Sequence, residues 1–311
     1  MDVGGDVKGC KSKGVSVVIP VFNNSGTLQE LYGRIVSVVN ERFDHYEIVF
    51  IDDDSSDNSF EILEQISVLD SNVRVLKFKQ NYGQSAAIKA GIENTSNDYI
   101  VIMDADLQDR PEFIPQLMDS LEKNQTLMVI VKWRSKSESP FRLLMSKLFY
   151  SFSQILTTIS YEPDLGVFRV IKREALNNLE KYEHRKGTLL GKLHWVGTPY
   201  SFVELDRDPR KHGFSGYTIK KLFSLAIYRL YSFPKYSLKQ LLLVGVLLQV
   251  PGLFLRNRKS LGLVLKILDS CAATFILGSF FGRIIKTKLD RKRHFPEYEI
   301  ELYVNMPTRE K

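Results

Sequence analysis

The residues best equipped for chemistry lie in the stretch Tyr99 to Pro111, YIVIMDADLQDRP, which carries Asp104, Asp106 and Asp109 with Gln108 among them. Side chains alternate along an extended tip, so Asp-x-Asp-x-Gln there puts three oxygen-bearing groups on one side. Hard oxygens of this kind suit Mg²⁺ or Mn²⁺, which keep several waters and take further oxygens from substrate phosphates. A solvated acidic loop is the competing reading, because Asp-x-Asp alone is common. A second acidic cluster, Asp52, Asp53, Asp54 and Asp57 with Ser55 and Ser56, follows another apolar run. Carboxylates crowded together repel unless something cationic or hydrogen-bonding separates them.

The elements that position these clusters are legible from periodicity. Val15 to Val21 and Ile100 to Met103 are short apolar runs bounded by turn residues, as for strands buried on both faces, and Glu47 to Ile51 and Val73 to Phe78 read as two further strands. Between them come helical patterns. One starts near Thr27, a predicted N-cap, with Leu28, Leu31, Ile35, Val38 and Val39 at helical spacing; Ser59 to Leu69 is another. A glycine-punctuated turn, QNYGQSAAIKAGI, enters a third helix of small residues. Strands and helices alternating in this way predict βαβ units around a parallel sheet. Right-handed crossovers then gather Phe22–Asn23, Asp52–Asp57, Asn81–Gly83 and Asp104–Gln108 on one sheet edge, where open α/β folds bind ligands. No Gly-x-Gly-x-x-Gly follows the first strand, which disfavours a dinucleotide site.

Bulk composition is that of a globular chain, 44% hydrophobic and 25% charged over 311 residues. Cys10 and Cys271 form neither a disulfide framework nor a metal site, which predicts a reducing compartment. Residues 1–14 are polar and glycine-rich and read as a flexible lead-in without a signal peptide. Charge is unevenly spread: residues 1–205 carry 23 Lys and Arg against 28 Asp and Glu, whereas residues 206–311 carry 20 against 8. The basic part also holds the longest apolar runs, a pairing that favours an anionic membrane surface over nucleic acid.

The motifs IPVFNN, IDDDSSD, QNYGQSAAIKAGI and MDADLQD, in this order, resemble the family 2 nucleotide-sugar glycosyltransferases. The likeness is greatest to the branch that loads a sugar onto a polyprenyl phosphate (dolichol-phosphate mannosyltransferase-like and undecaprenyl-phosphate enzymes). It continues through DLGVFRVIKR, WVG and RKHGFSGYTIKKL and covers about residues 15–295. It implies the A-type (GT-A) fold, a Rossmann-like, mostly parallel α/β sheet flanked by helices, over residues 15–217. It further implies that Pro20, Phe22, Asn23, Asp52, Asp53, Asn81, Gly83, Asp104 and Arg134 hold the nucleotide-sugar. Asp104, Asp106 and Gln108 would hold the metal at the diphosphate. Asp164 would orient the acceptor, with an ion pair to Arg169 as the alternative, and Arg210, Ser215 and Tyr217 would grip the acceptor phosphate. Asp106, Asp164 and Arg210 are thus the expected catalytic set. Two points depart from simple transfer: Asp54 stands where the family has Gly, and for Ser55 and Asp57 a helix-capping role competes with ligand contact. Arg134 in turn has Lys132 and Lys136 as neighbours able to substitute for it.

The carboxy-terminal part carries the membrane expectation. Residues 218–236 read as an amphipathic interfacial helix with Lys220, Lys221 and Arg229 on its polar face. Residues 237–290 hold two apolar stretches, each interrupted, and leave open a short two-helix hairpin, in-plane or re-entrant helices, or a soluble helical appendage. Flanking charge favours both ends being cytoplasmic, although Arg256, Arg258 and Lys259 between the stretches run against that tendency. Residues 291–311 form a cytoplasmic tail that looks extended after Pro296 and able to add an edge strand. The expected activity is metal-dependent, inverting transfer from a UDP- or GDP-sugar to a polyprenyl phosphate at the cytoplasmic membrane face. Transfer to a hydroxyl of a lipid-linked glycan and an inactive membrane scaffold are the alternatives. No nucleic-acid partner is expected, and subunit number stays open, a homo-oligomer included.

Overall fold

The computed structural model describes residues 12–134, 165–177, 179, 188–206 and 298–305. β1 (Ser12–Val21) lies inside the sheet because Val15, Val17, Val18, Ile19 and Val21 are buried on both of its faces. It pairs in parallel with β2 (Phe43–Asp52) on one side and with β4 (Tyr99–Ile102) on the other. β3 (Val73–Phe78) continues the parallel set beyond β2. On the other flank β6 (Leu165–Lys172) runs antiparallel to both β4 and β5 (Met128–Trp133), and β7 (Tyr200–Leu205) lies parallel to β5. β8 (Ile300–Val304) adds antiparallel to the outer edge of β3, as the extended tail led one to expect. The eight-stranded order is β7-β5-β6-β4-β1-β2-β3-β8. Only β6 and β8 run against the rest, so the carboxyl ends of β1, β2, β3, β4, β5 and β7 share one rim with the start of β6.

Two apolar layers cover the sheet. Leu28, Leu31, Ile35 and Val39 of α1 (Leu28–Arg42) and Leu63 and Ile66 of α2 (Ser59–Leu69) pack on one face. Ile114, Leu117, Met118 and Leu121 of α4 (Ile114–Lys123) join them. α3 (Gln84–Glu93) covers the other face with Ala86, Ala87, Ile88, Ala90 and Ile92. Its small residues let it come close: a Cβ on Gly91 would lie 2.3 Å from a Val18 methyl and 2.7 Å from one of Ile51. The alanines pack the helix on the sheet.

One local expectation changes. Thr27 precedes α1, but its side chain does not cap the helix. The hydroxyl donates instead to Asn24 O (2.9 Å) and Ala105 O (2.6 Å), tying the start of α1 to the loop after β4.

The chain divides into two units. The first, Met1–Glu138, Glu162–Gly216 and Pro296–Lys311, contains every described residue. The second, Ser139–Tyr161 and Tyr217–Phe295, lies outside them, and so do the expected interfacial helix (218–236) and two-helix segment (237–290). Among the described residues no helix is long and apolar enough to cross a membrane.

Candidate functional site

Four loop ends meet on the shared rim. At the end of β1, Pro20 is buried in the strand, whereas Phe22 is 49% exposed, an apolar ring facing outward. Asn23 adopts a left-handed φ of 55° and joins the second acidic loop, its N–H donating to Ser55 Oγ (3.0 Å) and its Oδ1 accepting from Ser56 N–H (2.8 Å).

That loop, after β2, is sorted by burial. Asp52 is fully buried; its Oδ2 accepts from Ser55 N–H at 3.3 Å, its Oδ1 has no hydrogen-bond partner, and burial raises its pKa. Asp52 therefore shapes the loop from inside and presents no surface outward. Asp53 is 3% exposed and accepts from Tyr82 N–H at Oδ1 (2.7 Å) and Gly83 N–H at Oδ2 (2.8 Å). Its carbonyl oxygen accepts from Asn81 Nδ2 (3.1 Å). Burial pushes the Asp53 carboxyl up to about 6 despite these two hydrogen bonds, with Asp52 and Asp54 adding to the rise. The structure thus brings Asp53, Asn81 and Gly83 together. Gly83 has φ 88°, which a glycine adopts without strain, and it opens α3.

Asp54 is exposed at φ 60°, a left-handed backbone in keeping with the Gly that the family resemblance implied at this position. Asp57 turns inward and accepts from Ser25 N–H (3.0 Å) and Ser59 N–H (3.0 Å). Burial alone would raise its pKa, but these bonds and that of the Ser59 hydroxyl outweigh it and hold the carboxyl below its ordinary value. Asp57 is a loop-to-helix staple, the capping alternative foreseen for it.

The acidic loop after β4 is not the extended tip that the alternation argument predicts. β4 ends at Ile102, and Leu107, 2% exposed, takes φ 61°, which reverses the chain. Two carboxylates close the turn: Asp109 Oδ2 accepts from Asp104 N–H (3.0 Å) and Asp106 Oδ1 from Gln108 N–H (3.1 Å). The buried leucine side chain offsets the cost of a left-handed backbone, and no alternation rule survives such a reversal. Asp104 Oδ1 accepts from Gln84 Nε2 at 2.6 Å, so the first residue of α3 reaches across to the acidic loop. Sequence reasoning assigned no role to Gln84, Asp109 or Thr27 in the site. The one signal that could have found Gln84 is its place directly after Gly83, at the opening of a helix on the ligand edge.

Among the described residues no group of three His, Cys, Asp or Glu side chains could hold a metal ion. The donor chemistry nevertheless fits a small, hard cation. Asp104 and Asp106 supply two carboxylates and Gln108 a carboxamide, and such ions complete their shell from water and substrate phosphate.

Arg134 follows β5 on the same rim. It is exposed, its N–H donating to Leu205 O (2.9 Å) and its Nη1 lying 3.4 Å from Asp206 Oδ2. Lys132 is engaged elsewhere, over the Phe202 ring (4.8 Å) and beside Glu204 (3.8 Å). Arg169 donates to the carbonyl oxygens of Gly166 (2.7 Å) and Val167 (3.0 Å) at the start of β6. Asp164, Arg210, Ser215, Tyr217 and Lys136 lie outside the described residues. A separate cavity of about 400 Å³, lined by Gly14, Asp44, His45, Ser96, Asn97 and Asp98, sits at the opposite end of the strands and away from this rim.

Comparison with known proteins bears on the chain's family and fold. The uncharacterized glycosyltransferase YkcC of Bacillus subtilis (strain 168) is 30% identical over 293 residues, 89% of this chain and 91% of that one. The bactoprenol glucosyl transferase of Shigella phage SfX is 29% identical over 232 residues, 75% of this chain and 76% of that one. A crystal structure of a mycobacterial protein shares the fold at 18% identity and a TM-score of 0.50, covering 70% of this chain and 72% of that one. Residues 16–180, from β1 to beyond β6, match the description Glycosyl transferase family 2. The chain therefore belongs to glycosyltransferase family 2.

Proposed function

We propose that this glycosyltransferase moves one sugar from a nucleotide-diphosphate donor to a polyprenyl phosphate at the cytoplasmic face of a membrane, with inversion at the anomeric carbon. The observation that carries the donor half is the convergence on one rim of Asp53 with Asn81–Gly83, and of Asp104 with Gln84. The lipid-phosphate half is supported by the name of the Shigella phage relatives, bactoprenol glucosyl transferase, and by the excess of basic residues in 206–311.

In this reading the exposed Phe22 ring packs on the nucleoside base and the braced 81–83 loop offers close backbone approach. Asp104 and Asp106, with Gln108, would hold Mg²⁺ or Mn²⁺, which when bound would supply Lewis-acid neutralisation of the departing diphosphate. Gln84 fixes one Asp104 oxygen and so the orientation of that carboxylate. Arg134, exposed beside Asp206, is placed to meet a phosphate. The acceptor phosphate is anionic near neutral pH and attacks the anomeric carbon without a strong base. Asp164 is then assigned to orientation, and Arg210, Ser215 and Tyr217 to gripping the acceptor phosphate.

Membranes containing the full chain are incubated with a panel of UDP- and GDP-sugars, UDP-glucose first, together with undecaprenyl phosphate and Mn²⁺ or Mg²⁺. A glycosylated lipid phosphate that disappears with Asp106→Ala is the expected result. Label found only on a glycan hydroxyl overturns the acceptor, and no turnover with any donor overturns the reading in favour of a scaffold.

A further inference from the structure

Tyr298 is the first described residue after the second unit, and it touches both elements that flank the Lys79–Gly83 loop. Its ring stacks on Phe78, the last residue of β3, at 5.3 Å between centroids and 22° between planes. Phe78 in turn meets Tyr82 edge-on at 5.4 Å and 89°. The Tyr298 hydroxyl donates to Glu93, the last residue of α3, and Lys89 Nζ lies 5.8 Å from the ring centroid. The next residue secures the loop's first position: Lys79 N–H donates to Glu299 O (3.0 Å), and Lys79 Nζ pairs with the Glu299 carboxylate (2.8 Å). The loop bracketed in this way is the one whose Tyr82 and Gly83 N–H groups are spent on Asp53.

We infer that Tyr298 is a positioning residue for the donor loop: the segment leading into β8 completes the nucleotide site by holding Phe78, and through it Tyr82, with the stacked ring. The inference rests on the donor-site reading above. Its physical content is that a loop must be held to bind well. If Tyr298 does not hold the Phe78–Tyr82 pair, the ordering cost of residues 79–83 falls on the incoming nucleotide and appears as lost affinity. Nothing in the short motifs on the rim announces this contact, because Tyr298 is separated from Phe78 by more than two hundred residues of chain.

The test uses the full-length chain in detergent and titrates UDP and GDP in the presence of Mn²⁺ by calorimetry, well below the melting temperature. Tyr298→Leu keeps bulk but loses the stacked ring, and is expected to weaken binding of the preferred nucleotide about three- to tenfold, the range of one aromatic pair. Tyr298→Phe retains the ring and is expected to stay within about twofold of the wild type. Melting temperatures are recorded for all three proteins. A Tyr298→Leu chain that melts earlier but binds nucleotide as the wild type does overturns the inference and leaves β8 a purely structural strand. Equal loss in Tyr298→Phe also overturns it, because the hydroxyl and not the stacked ring would then matter. A wild-type chain that binds neither nucleotide overturns the donor-site reading, and the inference with it.

Discussion

Gly83 donates its N–H to Asp53 Oδ2 at 2.8 Å, joining two loops that are 30 residues apart in the chain. With the neighbouring bond from Tyr82 N–H, both oxygens of one buried carboxylate are engaged by the backbone that opens α3. Only the ionised carboxylate can accept freely at both oxygens. Its protonation state therefore sets how well the loop is held.

Because burial raises the Asp53 pKa from 3.8 to about 6, the folded state holds this proton more tightly than the unfolded chain. Its contribution to stability is fully present below the ordinary carboxylate value and is lost as pH rises through about 6. Nucleotide binding runs the opposite way, strengthening as pH rises through the same window and the loop is secured. Asp53→Asn is expected to flatten both dependences. Comparing wild type and variant by thermal melts and nucleotide titrations from about pH 4.5 to about 7.5 isolates this group from the other carboxylates.

Gln84 reaches Asp104 from a different element; under the proposed metal role of Asp104, a residue that orients such a carboxylate is commonly worth about 10–100-fold in metal affinity or activity. Gln84→Ala is expected to fall in that range and to raise the Mn²⁺ concentration needed for half-maximal turnover. Gln84→Glu is expected to be worse, since a second carboxylate would repel Asp104. Turnover against Mn²⁺ concentration reads both effects.

Asp54 holds φ 60° on the surface, where an L-residue is strained and glycine is not. Asp54→Gly is expected to stabilise the fold by about 0.5 kcal/mol, relief of the left-handed backbone exceeding the added unfolded-state entropy. On the proposed donor site it also removes a negative charge near the nucleotide, so nucleotide affinity should rise modestly and the gain should shrink with added salt. Denaturant melts and titrations at two ionic strengths check it.

Glu47 lies at the far end of the strands from the rim and is buried. It accepts from Ser16 Oγ (2.5 Å) and Ser96 N–H (2.6 Å) and pairs with Arg74 Nη1 at 2.6 Å. Glu47→Ala leaves the largely buried Arg74 guanidinium without a carboxylate and with only the Asn94 carbonyl (3.3 Å) as a hydrogen-bond partner, and takes the carboxylate from the Ser16 hydroxyl and the Ser96 N–H; it is expected to cost about 3–5 kcal/mol. Folded Glu47→Ala protein should bind nucleotide as the wild type does, which a denaturation curve and a titration together establish.

The sequence by itself determined the elements and the edge they serve. Val15–Val21 is apolar enough to demand burial on both faces, Glu47–Ile51 and Val73–Phe78 read as further strands, and each helix between them carries one apolar stripe. Right-handed connection then leaves little choice about where the acidic clusters go. The edge strand after Pro296 was legible for a similarly local reason, and the turn at Asp54 was implied by the family resemblance. Only the tertiary structure decided which carboxylates face inward. Asp52 and Asp53 are adjacent and chemically identical, yet Asp52 is sealed inside its loop and Asp53 spans to the start of α3. The turn at Leu107, the reach of Gln84 to Asp104 and the stacking of Tyr298 on Phe78 belong to the same class. Local pattern records which face of an element must be dry. Contacts between distant loops depend on where the packed elements bring their ends, and that is a property of the assembled sheet.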